Sequence, residues 1–202
     1  MTQVQLYLAS GSPRRQALLK QLGISYRLLE HGVVENRTEG EAAEDFVRRL
    51  ALDKALAAQR LLQVDDPIPV LAADTIVICR NRILGKPDDR DQALQMLQWL
   101  SGDRHEVMTA VAVANRKRSQ VILSTTEVTF REVRQAEILA YWDTGEPRDK
   151  AGAYAIQGLG SMFIKAIKGS YSAVVGLPVF ETVQLLSGFG LGALRIMQGQ
   201  RQ

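Results

Sequence analysis

The chain has little cysteine, no long apolar run and no block of basic residues. Its only cysteine is Cys79, which excludes an intrachain disulfide and a cysteine-based metal site. Its two histidines lack metal-ligand spacing. We find neither the apolar core of a signal peptide nor an apolar run of about 18 residues, the length that a membrane span needs. We therefore expect a soluble protein of the reducing cytoplasm, without a membrane partner.

The basic residues are scattered along the sequence. The formal net charge is +3, and the longest basic run covers only residues 116–118. A protein that binds a duplex usually shows a basic stripe or a dense cluster. The pattern therefore argues against a nucleic-acid partner and suits a small anionic substrate.

The hydrophobic pattern predicts one domain over residues 1–202, with a substantial core, because 46% of the residues are hydrophobic. We predict strands at 4–9, 25–29, 70–78, 83–84, 107–114, 121–130 and 162–167. We predict helices at 13–22, 41–62, 89–100, 136–142 and 178–186. Strands alternate with helices early in the chain and form hairpins later. This order predicts an α/β fold with a central, twisted, mixed sheet and helices on its faces.

The most informative segment is a strand that runs directly into a short helix at residues 4–23. Ser12 is expected to be the N-cap, with its hydroxyl accepting from a free N–H of the first turn. Pro13 suits the first helical position, and Gly23 can end the helix in a left-handed conformation.

Two serines and two arginines converge on the start of this helix. Ser10 and Ser12 supply hydroxyls, and Arg14 and Arg15 lie in the first turn. A helix N-terminus attracts anions, and arginine matches phosphate oxygens. Positive side chains are unfavourable in that turn unless an anion is bound. The combination therefore favours a phosphate site over a plain helix start with solvated arginines.

Asp74 interrupts the most apolar strand of the sequence. A buried carboxylate costs several kcal/mol, as a rough estimate, unless it is paired or binds a metal. We therefore expect Asp74 at the end of its strand, facing a cleft. The alternative is a structural carboxylate that accepts from a neighbouring backbone.

Two lysines are further candidates. Lys54 falls near the centre of the apolar stripe of helix 41–62, which includes Ala57 and Leu61, so it must either snorkel to solvent or meet an anion. Arg49 lies off the stripe and is expected to be solvated. Lys86 is held in a tight loop between a glycine and a proline, where it either reaches the same cleft or is an ordinary surface residue.

A glycine-rich segment surrounds Gln157. Gly152, Gly158 and Gly160 do not follow a strand as the glycines of a dinucleotide-binding turn do. We therefore interpret the segment as a flexible substrate loop.

Together these residues resemble the Maf family of nucleoside triphosphate pyrophosphatases, whose name is linked to septum formation. The resemblance spans Leu8 to Leu186. The matching motifs are ASGSPRR at 9–15, the loop at Glu35, RLA at 49–51, KA at 54–55, ADT at 73–75, GKP at 85–87, SG at 101–102, DKAGAY at 149–154 and GLP at 176–178.

The resemblance implies an elongated, two-lobed Maf/ITPase-like fold around a substrate cleft, often as a homodimer. It implies hydrolysis of a nucleoside triphosphate to the monophosphate and pyrophosphate with a divalent metal, Mg²⁺ or Mn²⁺. Asp74 would be the proton acceptor and Glu35 a metal or water-orienting carboxylate, with Asp74 as a second metal ligand. The implied phosphate-binding set is Ser10, Ser12, Arg14, Arg15, Lys54 and Lys86.

Three positions indicate the base. Relatives that act on 7-methylguanosine triphosphate carry tryptophan, glutamine and glutamate where this chain has Arg14, Thr75 and Gln157. Gln157 has both a donor and an acceptor, as the edge of uracil or thymine requires. We therefore predict dTTP, UTP and 5-substituted uridine triphosphates as substrates. A regulator of septum formation that senses nucleotides without turnover is the alternative, although simple phosphate binding gains nothing from Asp74.

Overall fold

The computed structural model describes residues 4–30, 32–63 and 66–199. The chain divides into two compact units. Unit 1 holds the residues up to Asp74, residues 109–124 and the residues from Gly176 onward, and unit 2 holds residues 75–108 and 125–175. The single domain over residues 1–202 stays a prediction.

The structure is a mixed α/β fold, as predicted. The strands are β1 (Leu6–Leu8), β2 (Tyr26–Leu28), β3 (Val70–Cys79), β4 (Arg82–Leu84), β5 (Arg104–Ala114), β6 (Ser119–Phe130) and β7 (Ile164–Lys168). The helices are α1 (Pro13–Gln21), α2 (Ala43–Arg60), α3 (Arg90–Leu100), α4 (Gln135–Asp143), α5 (Tyr171–Val175), α6 (Val179–Gly188) and α7 (Ala193–Gly199). Short 3₁₀ turns cover Glu146–Asp149, Ala151–Ala153 and Leu159–Phe163. In the part of the chain that the structure describes, no helix is long and apolar enough to cross a membrane.

The strands form one mixed sheet in the order β2-β1-β3-β5-β6-β7, with β4 paired to β3. β1 is parallel to both β2 and β3, whereas β3 with β4 and β6 with β7 are antiparallel pairs. The sequence does not predict the short helices α5 and α7, since five and seven residues carry too little periodic signal.

In unit 1, two segments with candidate site residues follow directly after the carboxyl ends of parallel strands. Leu8 of β1 pairs with Leu71 of β3, and β3 then continues past the end of β1. Ligands of open parallel sheets usually bind outside the carboxyl ends of the strands. The loop from β1 to α1 and the segment after β2 both begin at this edge.

Helix α1 begins where the sequence predicts and ends at Gln21, one residue early, and its cap differs in part. Pro13 is the first helical residue and Gly23 has a φ of 69°. Ser12 occupies the N-cap position, yet its hydroxyl makes no capping hydrogen bond. The predicted N-cap position is thus confirmed and the predicted hydroxyl bond is wrong. The backbone N–H of the extended Ser12 donates to Ser10 Oγ over 3.3 Å.

Helix α2 carries the predicted lysine on its buried face. Lys54 is only 4% exposed, on the same face as Leu50 and Ala58. The predicted stripe runs too far, because Leu61 is 68% exposed and Ala57 is not fully buried. Leu61 follows the last helical residue, so it leaves the buried face.

Unit 2 packs around an aromatic cluster. The rings of Phe130 and Tyr154 meet edge to face with their centroids 4.9 Å apart, and His105 lies 5.0 Å from Phe130. His105 is 2% exposed, and its Nε2 forms a 2.8 Å hydrogen bond with the Tyr154 hydroxyl. Burial lowers the pKa of His105 from 6.5 to about 4.

This buried histidine predicts acid sensitivity. The unfolded chain takes up the proton as the pH falls through 6.5, whereas folded His105 stays neutral down to about pH 4. Its contribution to stability is therefore present above pH 6.5 and lost between pH 6.5 and 4. From pH 7 to pH 5, the free energy of unfolding should drop by about 2 kcal/mol through this residue. Urea unfolding at both pH values measures the drop, which His105→Gln should reduce; a wild-type value that does not fall would contradict the prediction.

Candidate active site

The loop between β1 and α1 is held by Arg15. Its Nη1 donates to Ser10 Oγ over 3.0 Å, and its Nε donates to the carbonyl oxygen of Gly176 over 2.8 Å. Ser10 is only 7% exposed and also accepts from the backbone N–H of Ser12. The predicted anion loop is thus a pre-organised turn in which a guanidinium, a hydroxyl and the start of α1 lie together.

The charge of Arg15 is balanced by nearby carboxylates. Burial lowers the pKa of Arg15, the Asp74 carboxylate opposes that shift, and Glu35 opposes it further. Arginine stays protonated in proteins, so the site keeps this cation. Arg14 is partly exposed in the same helical turn. The loop therefore holds two cations, and Asp74, which the sequence pattern selects, and Glu35, which the family resemblance selects, act electrostatically on Arg15.

Lys54 joins those two carboxylates. Its Nζ donates to Asp74 Oδ1 over 2.6 Å and lies 2.5 Å from Glu35 Oε1. The side chains of Lys54 and Asp74 are nearly buried, whereas that of Glu35 is 50% exposed. Lys54 thus meets anions rather than snorkelling to solvent, which resolves the alternatives that the sequence left open.

Asp74 does not lie at the end of its strand, so that prediction is wrong. It falls inside the ten-residue strand β3, beyond the point where β1 stops pairing at Leu71. The carboxylate is tolerated there because Lys54 neutralises it within hydrogen-bond distance. The Asp74 side chain remains 9% exposed.

Arg49 anchors the loop that carries Glu35. Its Nε and Nη2 donate to the two carboxylate oxygens of Glu41 over 2.7 and 2.8 Å, and Nη2 also donates to the carbonyl oxygen of Asn36 over 3.0 Å. The hydrogen bonds from Arg49 lower the pKa of the Glu41 carboxyl to about 2. The prediction that Arg49 is solvated is therefore wrong, because a bidentate pair and a backbone bond engage it next to Glu35.

The other predicted residues belong to unit 2. Thr75 follows Asp74 in β3, while Lys86 and Gln157 are exposed on loops. The loop before Lys86 is fixed by Gly152, whose backbone N–H donates to the carbonyl oxygen of Gly85 over 3.0 Å. Gly152 has a φ of 68°, and a Cβ there would lie 3.1 Å from the side chain of Val77.

The glycine-rich segment is tightly bound in unit 2, so its interpretation as a flexible loop is wrong. A Cβ on Gly158 would come 2.1 Å from Glu146 Oε2, and one on Gly160 would come 2.6 Å from the Tyr141 hydroxyl. These glycines therefore serve close packing rather than mobility.

Glu35 and Asp74 are the residues of unit 1 that could hold a divalent ion. Mg²⁺ is commonly held by one or two carboxylates together with substrate phosphates and water. Glu35 and Asp74 share the Lys54 ammonium and are the two carboxylates of this site. Among the described residues, no group of three or more histidine, cysteine or acidic side chains could hold an ion alone. Two carboxylates that already share an ammonium could hold a divalent ion only together with further oxygen ligands, which a bound phosphate chain and water would supply.

Comparison with known proteins connects this site to a family. A family model described as "Maf-like protein" matches residues 5–189. A protein named "dTTP/UTP pyrophosphatase" from Saccharophagus degradans is 52% identical over 91% of this chain and 88% of its own length. One with the same name from Escherichia coli O157:H7 is 52% identical over 91% of this chain and 92% of its own. A solved structure described as the Staphylococcus aureus Ham1 protein covers 62% of this chain and 71% of its own, with a TM-score of 0.41 and 14% identity. That structural similarity is too low to support an inference.

Proposed function

The chain belongs to the Maf family, and from this premise we propose that it hydrolyses dTTP and UTP to the nucleoside monophosphate and pyrophosphate. We include 5-substituted uridine triphosphates among its substrates. The observation that carries the proposal is the Lys54 ammonium shared by Asp74 and Glu35 beside the loop of Ser10 and Arg15. The names of the relatives, which are 51 to 52% identical to this chain, agree with it.

In the proposed mechanism, unit 1 binds the phosphates and activates water. The Arg15 guanidinium, with Arg14, Ser10 and Ser12 and the N–H groups at the start of α1, stabilises the negative charge of the phosphate chain. Asp74 takes the proton from the water that attacks the α-phosphorus. Breaking of the bond between the α-phosphorus and the bridging oxygen then expels pyrophosphate.

The cations act on the charge that grows as the bond breaks. Arg15 and Lys54 lie in a partly buried site, where pre-organised charge stabilises a transition state more than it does in water. Lys54 also holds Asp74 and Glu35 at hydrogen-bond distance. In this proposal Lys86 adds a further positive charge for the phosphates.

A divalent ion, Mg²⁺ or Mn²⁺, belongs to the proposal, with Glu35 and Asp74 as its protein ligands. When bound, such an ion neutralises phosphate charge and orients the triphosphate. Removing free metal with EDTA should reduce pyrophosphate release from dTTP to background, and excess Mg²⁺ should restore it. Full activity in EDTA would contradict the metal requirement.

The base preference is tested by a screen of triphosphates. Pyrophosphate release with Mg²⁺ should show kcat/KM values for dTTP and UTP at least about tenfold above those for GTP and ATP, a difference of about 1.4 kcal/mol. Gln157 is the main reason, because its amide can both donate to and accept from a pyrimidine edge. Thr75 and Arg14 complete the proposed specificity set.

The matched variant for this screen is Gln157→Glu. A carboxylate cannot donate to a pyrimidine carbonyl, so the preference for dTTP over GTP should fall while hydrolysis persists. Equal kcat/KM for GTP and dTTP in the wild type would overturn the base assignment but leave the pyrophosphatase activity standing.

A nucleotide-sensing regulator without turnover is not favoured. Its site would need only cations, whereas this site keeps a nearly buried carboxylate on an ammonium. The same screen decides the matter, because a pure sensor binds dTTP and releases no pyrophosphate.

Two further parts of the proposal concern the location and the oligomeric state of the protein. A cytoplasmic location agrees with the single cysteine. The homodimer remains a prediction, which the molecular mass in solution tests.

A further inference from the structure

A pair of side chains in unit 2 encloses the turn that carries Gln157. The backbone N–H of Gly158 donates to the carbonyl oxygen of Ala155 over 3.3 Å and closes a turn with Ile156 and Gln157 at its tip. Gln157 is exposed, so its amide is accessible to a ligand while the neighbouring backbone is held.

Tyr141 holds the first side of this turn. Its hydroxyl accepts from the backbone N–H of Ala155 over 3.1 Å and donates to Glu146 Oε1 over 2.7 Å. Burial raises the pKa of Tyr141, and the hydrogen bond to Glu146 raises it further. The hydroxyl therefore stays protonated and keeps both hydrogen bonds at neutral pH.

Glu146 holds the second side. Its Oε2 accepts from the backbone N–H of Leu159 over 2.9 Å, and its Oε1 accepts from that of Gly160 over 3.0 Å. Burial alone would raise the pKa of Glu146, but the bonds from Tyr141, Gly160 and Leu159 outweigh it and lower the pKa. The carboxylate is thus charged, and charge-assisted hydrogen bonds of this kind are the stronger ones.

Gly158 and Gly160 allow the backbone to approach Glu146 and Tyr141 closely. Side chains at Gly158 and Gly160 would collide with the Glu146 carboxylate and the Tyr141 hydroxyl. Glu146 begins the turn Glu146–Asp149, directly after the left-handed Gly145. The backbone N–H of Glu146 donates to Thr144 Oγ1 over 3.2 Å. Both members of the pair are therefore fixed themselves.

We propose that Tyr141 and Glu146 are positioning residues that fix the Gln157 turn and thereby set the selectivity for the base. This inference rests on the proposed function, since selectivity presupposes nucleotide hydrolysis. An amide that must donate and accept at once discriminates only if its position is held, and a misplacement of about 1 Å can cost about 100-fold. The hydrogen bonds of the pair reach the turn through the backbone N–H groups on either side of its tip, so in this proposal the pair acts through the position of Gln157.

The test uses Glu146→Gln and Tyr141→Phe in the full chain. Each variant retains the shape of the side chain and removes at least one hydrogen bond to the turn. The matched controls are Glu137→Gln and Tyr154→Phe. Glu137 is a carboxylate of α4 that pairs with Arg131, and the Tyr154 hydroxyl forms a hydrogen bond with His105.

Two readouts are needed. Amide hydrogen exchange of residues 159 and 160 should speed up at least about tenfold in Glu146→Gln and stay unchanged in Glu137→Gln. The ratio of kcat/KM for dTTP to that for GTP should fall at least about tenfold in both test variants, mainly through the KM for dTTP, and in neither control.

Each outcome has a distinct meaning. Faster exchange with an unchanged ratio would overturn the positioning role, because the pair would then serve only the fold. Unchanged exchange would show that Glu146 does not hold the backbone of the turn. This measurement does not depend on enzymatic activity. A wild type that releases no pyrophosphate from dTTP contradicts the proposed function instead, and it removes the selectivity role that rests on it.

Discussion

Replacing Asp74 with asparagine is expected to lower kcat for dTTP by about 100-fold or more, the usual contribution of a general base. The variant keeps the shape of the side chain and leaves Lys54 paired with Glu35. Because a negative charge is lost beside an anionic substrate, the binding of dTTP should be retained or become tighter. Steady-state pyrophosphate release and equilibrium binding of dTTP measure the two effects separately.

Asp66→Asn is the matched control for this variant. Asp66 precedes β3, where its carboxylate accepts from the Tyr7 hydroxyl over 2.8 Å and from the backbone N–H of Ile68 over 2.9 Å. Its loss should change stability without lowering kcat. If Asp74→Asn retained more than about a tenth of the wild-type kcat, a cost below about 1.4 kcal/mol, the general-base role would be excluded.

Replacing Lys54 with methionine should damage both stability and catalysis. Asp74 would then be a nearly buried carboxylate that has lost the cation hydrogen-bonded to it, and loss of one partner of a buried pair typically costs about 3 to 5 kcal/mol. Glu35, which is half-exposed, can turn to water. We expect kcat to fall by about 100-fold and KM to rise, because the ammonium supports both phosphate charge and Asp74.

The double variant Lys54→Met with Asp74→Asn separates these effects. Removing the orphaned charge should recover much of the lost free energy of unfolding, while hydrolysis stays at background. Urea unfolding and pyrophosphate release of the two single variants and the double variant complete the cycle. A Lys54→Met protein that is unstable but has wild-type kcat and KM would show that the lysine is only structural.

The parts of the site that follow local rules could be predicted from the sequence. Asp74 and Lys54 stand out because a charge interrupts an apolar period, and the turn of Ser10 and Arg15 stands out because a strand runs straight into a helix start. Periodicity alone does not say that the two charges meet; the fold places Lys54 Nζ of α2 2.6 Å from Asp74 Oδ1 of β3.

The roles that the sequence pattern does not reveal depend on contacts between separate elements of the fold. Glu35 is an exposed loop carboxylate without a periodic signal, and only resemblance selected it. Arg49 reads as solvated until the fold brings Asn36 and Glu41 to it. The glycines around Gln157 suggest mobility because glycine is the same signal for a flexible loop and for a close approach.

The position of bond cleavage tests the central claim most directly. The wild-type enzyme is allowed to hydrolyse dTTP in water enriched in ¹⁸O, and the products are analysed by mass spectrometry. If water activated by Asp74 attacks the α-phosphorus, dTMP and pyrophosphate form in equal amounts and a single ¹⁸O appears in dTMP alone. Label in the pyrophosphate, or formation of dTDP and inorganic phosphate, would contradict the account.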